Sequence, residues 1–303
     1  MNTSLELKDF LIYFVPPKLP TTILMSVGII FNGVVVITIW KSAKLGKELT
    51  NLIILSLAIV DFLTCLSNVF KTHILMVLDI PSEAIIAWFV CKFIFSDFYQ
   101  WCWIPVSMLH IVQLGIERYF AVLHPVAHKI LSCSNYRKRV YAMIGLNYIL
   151  GFFITSKVFL EHKYLEGKCI LKLTGEYVTI DRIFSIAYSV FATICAIAVF
   201  ICYSMIIFKV FSLRKRNRTK MTQKNIKLAF IALGITVLFV LTTAPSYIFG
   251  TLVMLRPEEF SLFSPVFLIL TQVTIGSSLI NPIAFIVQST ELRDEIKKVF
   301  FKL

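Results

Sequence analysis

The stretch Leu19–Trp40 reads LPTTILMSVGIIFNGVVVITIW and has no charged residue over 22 positions. About 20 predominantly apolar residues in a helix cross the roughly 30 Å hydrocarbon core of a bilayer, so this stretch predicts a membrane span. The rest of the chain is similar, because 58% of its 303 residues are hydrophobic and the mean hydropathy is +0.82. A soluble domain of this length has too little interior to bury so much apolar material. The sequence therefore predicts an integral membrane protein.

Six further apolar stretches of similar length follow. Lipid offers no partners to backbone amides, so each stretch is predicted to be helical. The seven predicted spans are Leu19–Trp40, Leu49–Phe70, Val90–Ile116, Arg139–Leu160, Ile183–Val210, Ile226–Met254 and Leu262–Gln288. We expect an all-α membrane protein, a seven-transmembrane helix bundle with a short C-terminal amphipathic surface helix. Its parts are an N-terminus (residues 1–18), a seven-transmembrane domain (19–288) and the amphipathic helix (289–303).

The distribution of charge predicts the orientation of the bundle. If Met1 lies outside, 20 of the 30 Lys and Arg fall on the inner side, which carries a net charge of about +15 against −1 outside. Positive charge in short loops stays in the cytoplasm, so the N-terminus is expected outside and the C-terminus inside. Asn2 then begins an extracellular glycosylation sequon. The basic run from Arg214 to Lys220 is expected to contact anionic membrane lipid, not nucleic acid.

Seven cysteines can be sorted by compartment. Four lie within predicted spans, and Cys133 faces the reducing cytosol. Cys91, at the outer start of the third span, and Cys169, in the loop before the fifth, alone share the oxidising side. Elimination predicts a disulfide between them.

Polar side chains inside the predicted spans need an explanation, because they are expensive in hydrocarbon. Asp61 lies deep in the second span, with Ser107 in the third and Ser278 and Asn281 in the seventh. A buried carboxylate with such partners can bind a cation or join a hydrogen-bond network. Alternatively, these side chains only hold helices together. The residues alone leave both interpretations open.

Four motifs occur in order along the chain. They are Leu57-Ala58-x-x-Asp61, Glu117-Arg118-Tyr119 followed by Pro125, Phe239-x-x-Thr242-Thr243-Ala244-Pro245, and Asn281-Pro282-x-x-Phe285. Together they resemble the rhodopsin-like G-protein-coupled receptors, a resemblance that covers the chain from Asn32 to the tail. The divergent pattern is similar to that of an invertebrate chemosensory or peptide receptor.

The resemblance implies a function and a set of partners. The receptor would sit in the plasma membrane and pass a signal from an unknown extracellular ligand to a heterotrimeric G protein. Asp61, Ser107, Ser278 and Asn281 would form a sodium pocket, and this structural sodium ion is the one cofactor that the resemblance suggests. The activation switch would comprise Glu117, Arg118, Tyr119, Tyr203, Asn281, Pro282 and Phe285.

Some positions depart from the family pattern. Phe285 stands where the family has a Tyr whose hydroxyl meets Tyr203 in the active state. Thr243 stands where the family has a Trp beneath the ligand pocket. Ile275 occupies the retinal-binding Lys position, which excludes light sensing through a Schiff base. Amine receptors have an aspartate in the outer part of the third span. The corresponding residue here is Gln100 when counted from Arg118 and Phe98 when counted from Cys91.

The ligand pocket is expected between the outer halves of the third, fifth, sixth and seventh spans. Its candidate residues are Asp97, Gln100, Trp101, Tyr188, Thr243, Tyr247 and Gln272. Each of them can instead serve helix packing, since Trp and Tyr collect at membrane boundaries in any case.

Other classes of membrane protein fit the sequence less well. A zinc hydrolase needs several His ligands, but His73 and His110 lie near opposite membrane faces, so no enzymatic activity is expected. A secondary transporter usually shows repeated halves, and none is visible, although Asp61 could carry an ion. A non-signalling heptahelical ligand-binding protein remains the third alternative, because of Phe285 and Thr243.

Overall fold

The computed structural model describes residues 18–73, 83–95, 98–124, 134–156, 162–165, 168–171, 176–216, 241–253, 255–256, 259–260 and 264–301. These residues are almost all helical. Five helices in this part of the chain are long and apolar enough to cross a membrane: Pro20–Lys41, Leu49–Lys71, Trp103–Leu123, Arg182–Lys209 and Pro265–Val287. This is the helical membrane bundle that the sequence predicts.

Most of the helices match the predicted spans. The first-span helix is Lys18–Lys41, and the 3₁₀ turn Leu45–Lys47 joins it to the second, Leu49–His73. The fourth is Ser134–Thr155 and the seventh is Pro265–Gln288. The fifth, Glu176–Arg216, has 41 residues and is longer than its predicted span. The sixth is described as a helix over residues 241–253, and its predicted inner half lies outside the described residues.

The third span differs from the single predicted helix Val90–Ile116. A short helix, Ala84–Phe89, continues into a π-helical segment, Val90–Phe95, and the helix Phe98–Trp101 follows. A regular helix then runs from Trp103 to Leu123. A π-helical turn holds more residues than an α-helical turn, so the six residues of this segment advance less along the helix axis than six α-helical residues would.

The loop before the fifth span contains a small hairpin that the sequence did not predict. Strand β1, His162–Leu165, pairs antiparallel with strand β2, Lys168–Leu171, and Tyr164 lies opposite Cys169. Strand β1 contacts the π-helical segment at the start of the third span. The hairpin thus lies against the outer end of that span.

Glycines bring neighbouring spans close together. A Cβ built on Gly28 would meet the Cys65 sulfur at 2.5 Å, which places the first span directly against the second. A Cβ on Gly151 would overlap the Val106 side chain and lie 3.1 Å from the Val106 backbone nitrogen. Small residues at such points let membrane helices approach and gain dispersion energy.

The outer faces of the helices carry large apolar side chains that remain exposed, such as Trp40, Ile149, Phe153, Ile194 and Phe208. On a soluble monomer so large an apolar surface would cause aggregation. On a membrane span it is the surface that faces lipid.

Polar contacts cap the seventh span and the tail helix, Thr290–Ile296, which continues as a π-helical segment to Phe301. The Ser289 hydroxyl accepts a hydrogen bond from the Leu292 amide at 3.0 Å. The Arg293 guanidinium donates to the Val287 carbonyl at 2.6 Å, which satisfies one of the carbonyls that a helix end leaves unpaired. The chain therefore turns sharply between the two helices.

Candidate functional site

The buried carboxylate of Asp61 joins three spans in the middle of the bundle. The Ser107 hydroxyl donates to Oδ1 at 3.1 Å, and the Asn281 amide donates to Oδ2 at 2.8 Å. Ser278 is a further hydrogen-bonding neighbour of the same carboxylate. Asp61 itself is completely buried. The structure thus brings together the four side chains that the sequence grouped, and their oxygens are of the kind that binds hard cations.

Asn32 extends this polar centre to the first span. Its amide donates to the Gly28 carbonyl at 2.9 Å and to the Ser278 carbonyl at 3.0 Å. Because Asn32 binds the Ser278 carbonyl, it holds the Ser278 backbone in place and leaves the Ser278 hydroxyl available for other partners. The seventh span is therefore tied to the first and second at one level.

The Glu117-Arg118-Tyr119 motif lies at the inner end of the third span. Glu117 is 2% exposed, whereas Arg118 and Tyr119 are only partly buried. Tyr119 packs edge-to-face on Phe120, with ring centroids 5.4 Å apart. The guanidinium of Arg118 is therefore the accessible cation of this motif.

Tyr203 on the fifth span lies beside Arg118. A Cβ on Gly115 would be 3.6 Å from the Tyr203 ring, so a glycine makes room for this ring on the third span. Phe285, on the seventh span, is 5% exposed and belongs to the same apolar core as Tyr203. The inner end of the bundle thus collects the predicted switch residues around an apolar centre, and Pro282 lies inside the adjoining helix.

The tail helix is fastened to the inner end of the first span. Lys44 lies 3.7 Å from the Glu291 carboxylate, and Lys298 donates to Glu295 at 2.7 Å. The Lys298 hydrogen bond, with a smaller contribution from Ser42, lowers the pKa of Glu295 below its usual range. The Lys44 and Ser42 contacts tie the tail helix to the end of the first span, whereas the Lys298–Glu295 bond lies within the tail helix itself.

Two candidate pocket residues meet between the fifth and sixth spans. The Tyr188 and Tyr247 hydroxyls are 3.0 Å apart, and their rings pack edge-to-face at 4.8 Å. Both are partly buried, and the pair offers one hydroxyl proton and several oxygen lone pairs to a ligand.

Below this pair, Thr243 is 2% exposed and its hydroxyl has no hydrogen-bond partner. Thr271 on the seventh span is likewise buried, with an unpartnered hydroxyl. Between them, Ser246 and Thr274 form a 2.7 Å hydrogen bond that joins the sixth span to the seventh. A Trp at position 243, as in the family, would need the volume that this hydroxyl cluster occupies.

For the other pocket candidates the structure gives the burial of two side chains and does not describe the rest. Trp101 is partly buried against the core, and Gln272 is partly buried on the seventh span. Asp97 and the Gln100 side chain lie outside the described residues, so their part in the pocket stays a prediction.

Cys91 is disulfide-bonded, while Cys65, Cys102, Cys195 and Cys202 are free. Cys169 lies on strand β2 of the hairpin that contacts the Cys91 segment, but its side chain is outside the described residues. Asn2 is also outside them. The Cys91–Cys169 pairing and the glycosylation therefore stay predictions.

A second buried polar cluster was missed by the sequence analysis. His110 Nδ1 lies 2.7 Å from the Val106 carbonyl and must donate to it, so Nε2 accepts from the Ser56 hydroxyl at 2.8 Å. Ser56 is also 3.2 Å from the Tyr148 hydroxyl, which joins the second, third and fourth spans. A histidine inside an apolar stretch was the available signal, but the sequence does not say which helix faces it.

Comparison with known proteins shows which family the chain belongs to. Residues 31–285 match the model of the 7 transmembrane receptor (rhodopsin family). The chain belongs to the rhodopsin family of seven-transmembrane receptors. The resemblance inferred from the four motifs is confirmed, as is the fold class.

Curated relatives of the chain include receptors of the same family. It is 28% identical over 151 residues to the muscarinic acetylcholine receptor M3 of Sus scrofa and to that of Gorilla gorilla gorilla, and 27% identical to that of Bos taurus. The matched stretch covers 49% of this chain and 24% of each relative. The chain thus spans about a quarter of the length of these relatives. It is a multi-pass membrane protein of a receptor family.

Proposed function

We propose that this chain is a G-protein-coupled receptor of the plasma membrane that binds an extracellular ligand and activates a heterotrimeric G protein. Its N-terminus is extracellular and its tail is cytoplasmic. The observation that carries the proposal is the arrangement at the inner end of the third span, where Glu117 is buried and the neighbouring Arg118 is accessible beside Tyr203. An accessible cation at this depth suits the docking of a partner from the cytoplasm.

The ligand would bind at the outer side, above the Tyr188–Tyr247 pair. This pair bridges the fifth and sixth spans, so a ligand that hydrogen-bonds to it changes how the two helices pack. The relatives are named for acetylcholine. Here Gln100 or Phe98 takes the place of the aspartate of amine receptors, so we expect no response to acetylcholine.

Below the pocket, the Asp61 centre would hold sodium in the resting state. Its carboxylate and the hydroxyl of Ser107 come from different spans, so an ion held between them favours the arrangement in which both are close. A ligand that changes the packing of these helices would then weaken sodium binding.

The test is nucleotide exchange on purified G proteins by the full-length receptor in lipid nanodiscs, with representatives of each Gα class. Ligands are screened first, and acetylcholine is included. Arg118→Ala is expected to abolish exchange at unchanged ligand binding. The control is Arg139→Ala, because Arg139 is an exposed cation at the inner end of the fourth span. Tyr247→Phe should weaken ligand binding, because it removes one of the two hydroxyls of the pair.

Normal exchange by Arg118→Ala would overturn the proposed mechanism. Ligand binding without exchange on any G protein would replace the proposal with a non-signalling binding protein. Ligand-independent uptake of sodium into proteoliposomes would favour a transporter.

A further inference from the structure

Four hydroxyls lie along the contact between the sixth and seventh spans. The central pair is satisfied, because Thr274 donates to the Thr242 carbonyl at 2.9 Å and Ser246 lies 2.7 Å from the Thr274 oxygen. Thr243 and Thr271 lie on either side of this pair along the helices and are 2% and 6% exposed. In the described part of the chain neither of these two hydroxyls has a hydrogen-bond partner. Native structures rarely leave buried hydroxyls unpartnered, so the two indicate a site for a molecule that supplies the partners.

The two unpartnered hydroxyls lie at different depths. Thr243 is three residues inward of Ser246, and Thr271 is three residues outward of Thr274. At 1.5 Å per residue the two are about 9 Å apart along the bundle axis. A water molecule makes hydrogen bonds about 2.8 Å long, so a single water reaches only one of them. A molecule that serves both hydroxyls therefore needs a polar atom at each of two separated ends.

The wall between the two ends offers little to a polar group. The hydroxyls of the central pair already bond to each other and to the backbone. The ring of Tyr247, next to Ser246, packs edge-to-face on Tyr188 at 4.8 Å. Ile275, next to Thr274, is 1% exposed and belongs to the apolar core. The middle of the bound molecule is therefore expected to be apolar.

No counter-charge lies at this depth among the described residues. Their buried acids are Asp61 and Glu117, and none of their Lys or Arg side chains is buried. The Asp61 carboxylate is held by Asn281, which is about two helical turns further in than Thr274, and Glu117 lies at the inner end of the third span. Burying a charge without a partner costs far more than burying a neutral polar group. The site therefore favours an uncharged molecule.

We propose that the ligand of this receptor is an uncharged small molecule with a hydrogen-bonding oxygen at each end and an apolar middle. Its inner end pairs with Thr243, its outer end pairs with Thr271, and its middle packs beside Tyr247. The site thus reaches one turn below the level of the tyrosine pair, because Thr243 replaces the larger Trp of the family. The role of this molecule as the signal rests on the proposed function, whereas its binding does not depend on G-protein coupling.

The experiment measures thermal unfolding of the purified full-length chain in nanodiscs with a thiol-reactive fluorophore. This readout suits the protein because the free thiols of Cys65, Cys102 and Cys195 are buried until it unfolds. The probe is tyrosol, an uncharged molecule with a phenol at one end and a primary alcohol at the other. Tyramine and 4-hydroxyphenylacetate carry an ammonium or a carboxylate in place of the alcohol. Tyrosol should raise Tm saturably, and the charged probes should bind at least about ten-fold more weakly.

Variants of the two threonines test the contacts at each end. Thr243→Val and Thr271→Val keep the side-chain volume and should each weaken tyrosol binding about five-fold, as expected for one lost hydrogen bond. Two further probes, 2-phenylethanol and 4-ethylphenol, each lack one hydroxyl of tyrosol. Each variant should leave the affinity for one of these two probes unchanged, because that probe never used the deleted hydroxyl. Neither variant should destabilise the unliganded chain, since neither hydroxyl has a partner within the described residues.

Thr193→Val is the matched control, because Thr193 is exposed on the fifth span. It should bind tyrosol like the unmodified chain. Thr243→Trp should abolish binding, and its own unfolding transition shows whether it is folded. Three results would overturn the proposal: no saturable shift with tyrosol, equal or tighter binding of a charged probe, or unchanged tyrosol affinity in both Thr→Val variants. Tyrosol binding without nucleotide exchange on any G protein would leave this site standing and count against the proposed function.

Discussion

The Asn281 amide donates a 2.8 Å hydrogen bond to the Asp61 carboxylate, which joins the second and seventh spans across 220 positions of sequence. Both side chains are buried, so neither can exchange this partner for water. The Ser107 hydroxyl holds the other carboxylate oxygen from the third span. Any movement of one of these helices must break a charge-assisted bond or carry its partner along.

Removing this hydrogen bond should destabilise the receptor. Asn281→Ala leaves the buried carboxylate with fewer donors. We therefore expect the free energy of unfolding, measured by thermal unfolding, to fall by about 1–3 kcal/mol.

Sodium should raise the free energy of unfolding of the unmodified chain by about 1.4 kcal/mol at ten times its dissociation constant. Asp61→Asn should remove this dependence, measured in sodium against N-methylglucamine. Equal melting temperatures of the unmodified chain in the two salts would argue against the ion.

Gly151→Ala should separate the third and fourth spans. The added Cβ overlaps Val106, so we expect the free energy of unfolding to fall by about 1–3 kcal/mol. Gly145 is on the same helix with no atom within 4 Å of its Cβ position, and Gly145→Ala should be neutral or stabilising. Val106→Ala should rescue the first variant in part, because it removes the side-chain overlap and leaves the 3.1 Å contact with the Val106 backbone. An unaffected Gly151→Ala protein would mean that the spans are farther apart than described.

Non-reducing peptide mapping of surface-expressed receptor should find Cys91 linked to Cys169. A disulfide that closes so long a loop typically contributes about 2–4 kcal/mol, so Cys91→Ala should lower stability by that amount. Cys102→Ala, at a buried free thiol, is the control for loss of side-chain volume. Two free thiols at positions 91 and 169 would refute the pairing.

Phe285→Tyr should raise basal G-protein activation. By the family pattern the new hydroxyl would contact Tyr203 in the active state, and a coupling of about 1–3 kcal/mol shifts a two-state equilibrium about 5- to 150-fold. Phe285→Leu, which adds no hydroxyl, should leave basal exchange near the original level. An equal rise in both variants would point to loosened packing of the core as the cause.

Acid pH should loosen the tail helix. The folded-state pKa of Glu295 is depressed, so its contribution is complete above the ordinary carboxyl range and is lost as pH falls through the lowered value. The protection factors of residues 290–301, which allow for the slower intrinsic exchange of amides in acid, should therefore fall on acidification. Glu295→Gln should exchange faster already at neutral pH, while Asp294→Asn, at an exposed position, should not. Identical exchange in all three proteins would exclude the Glu295 contact.

The sequence predicted features that depend on composition along one helix. Asp61 stands out because its neighbours are apolar, and the tail helix is visible in the spacing of Leu292 and Ile296. Features that depend on how two helices face each other could not be predicted. The Ser56–His110 bond and the unpartnered hydroxyl of Thr243 both require the rotation of each helix about its axis. The π-helical segment could not be predicted for another reason. An extra residue in a helical turn leaves the hydropathy of the stretch unchanged.

The length of the fifth helix turns a small movement at one end into a larger one at the other. Tyr188 and Arg216 lie on the same unbroken helix, 28 residues apart. This distance is about 42 Å, so a tilt of about 5° pivoting near Tyr188 displaces the far end by about 4 Å. A ligand that tilts the fifth span by this angle at the tyrosine pair would thus move the Arg216 end of the helix by about the width of a side chain. The helix acts as a mechanical lever, and its gain is set by the number of residues between the two ends.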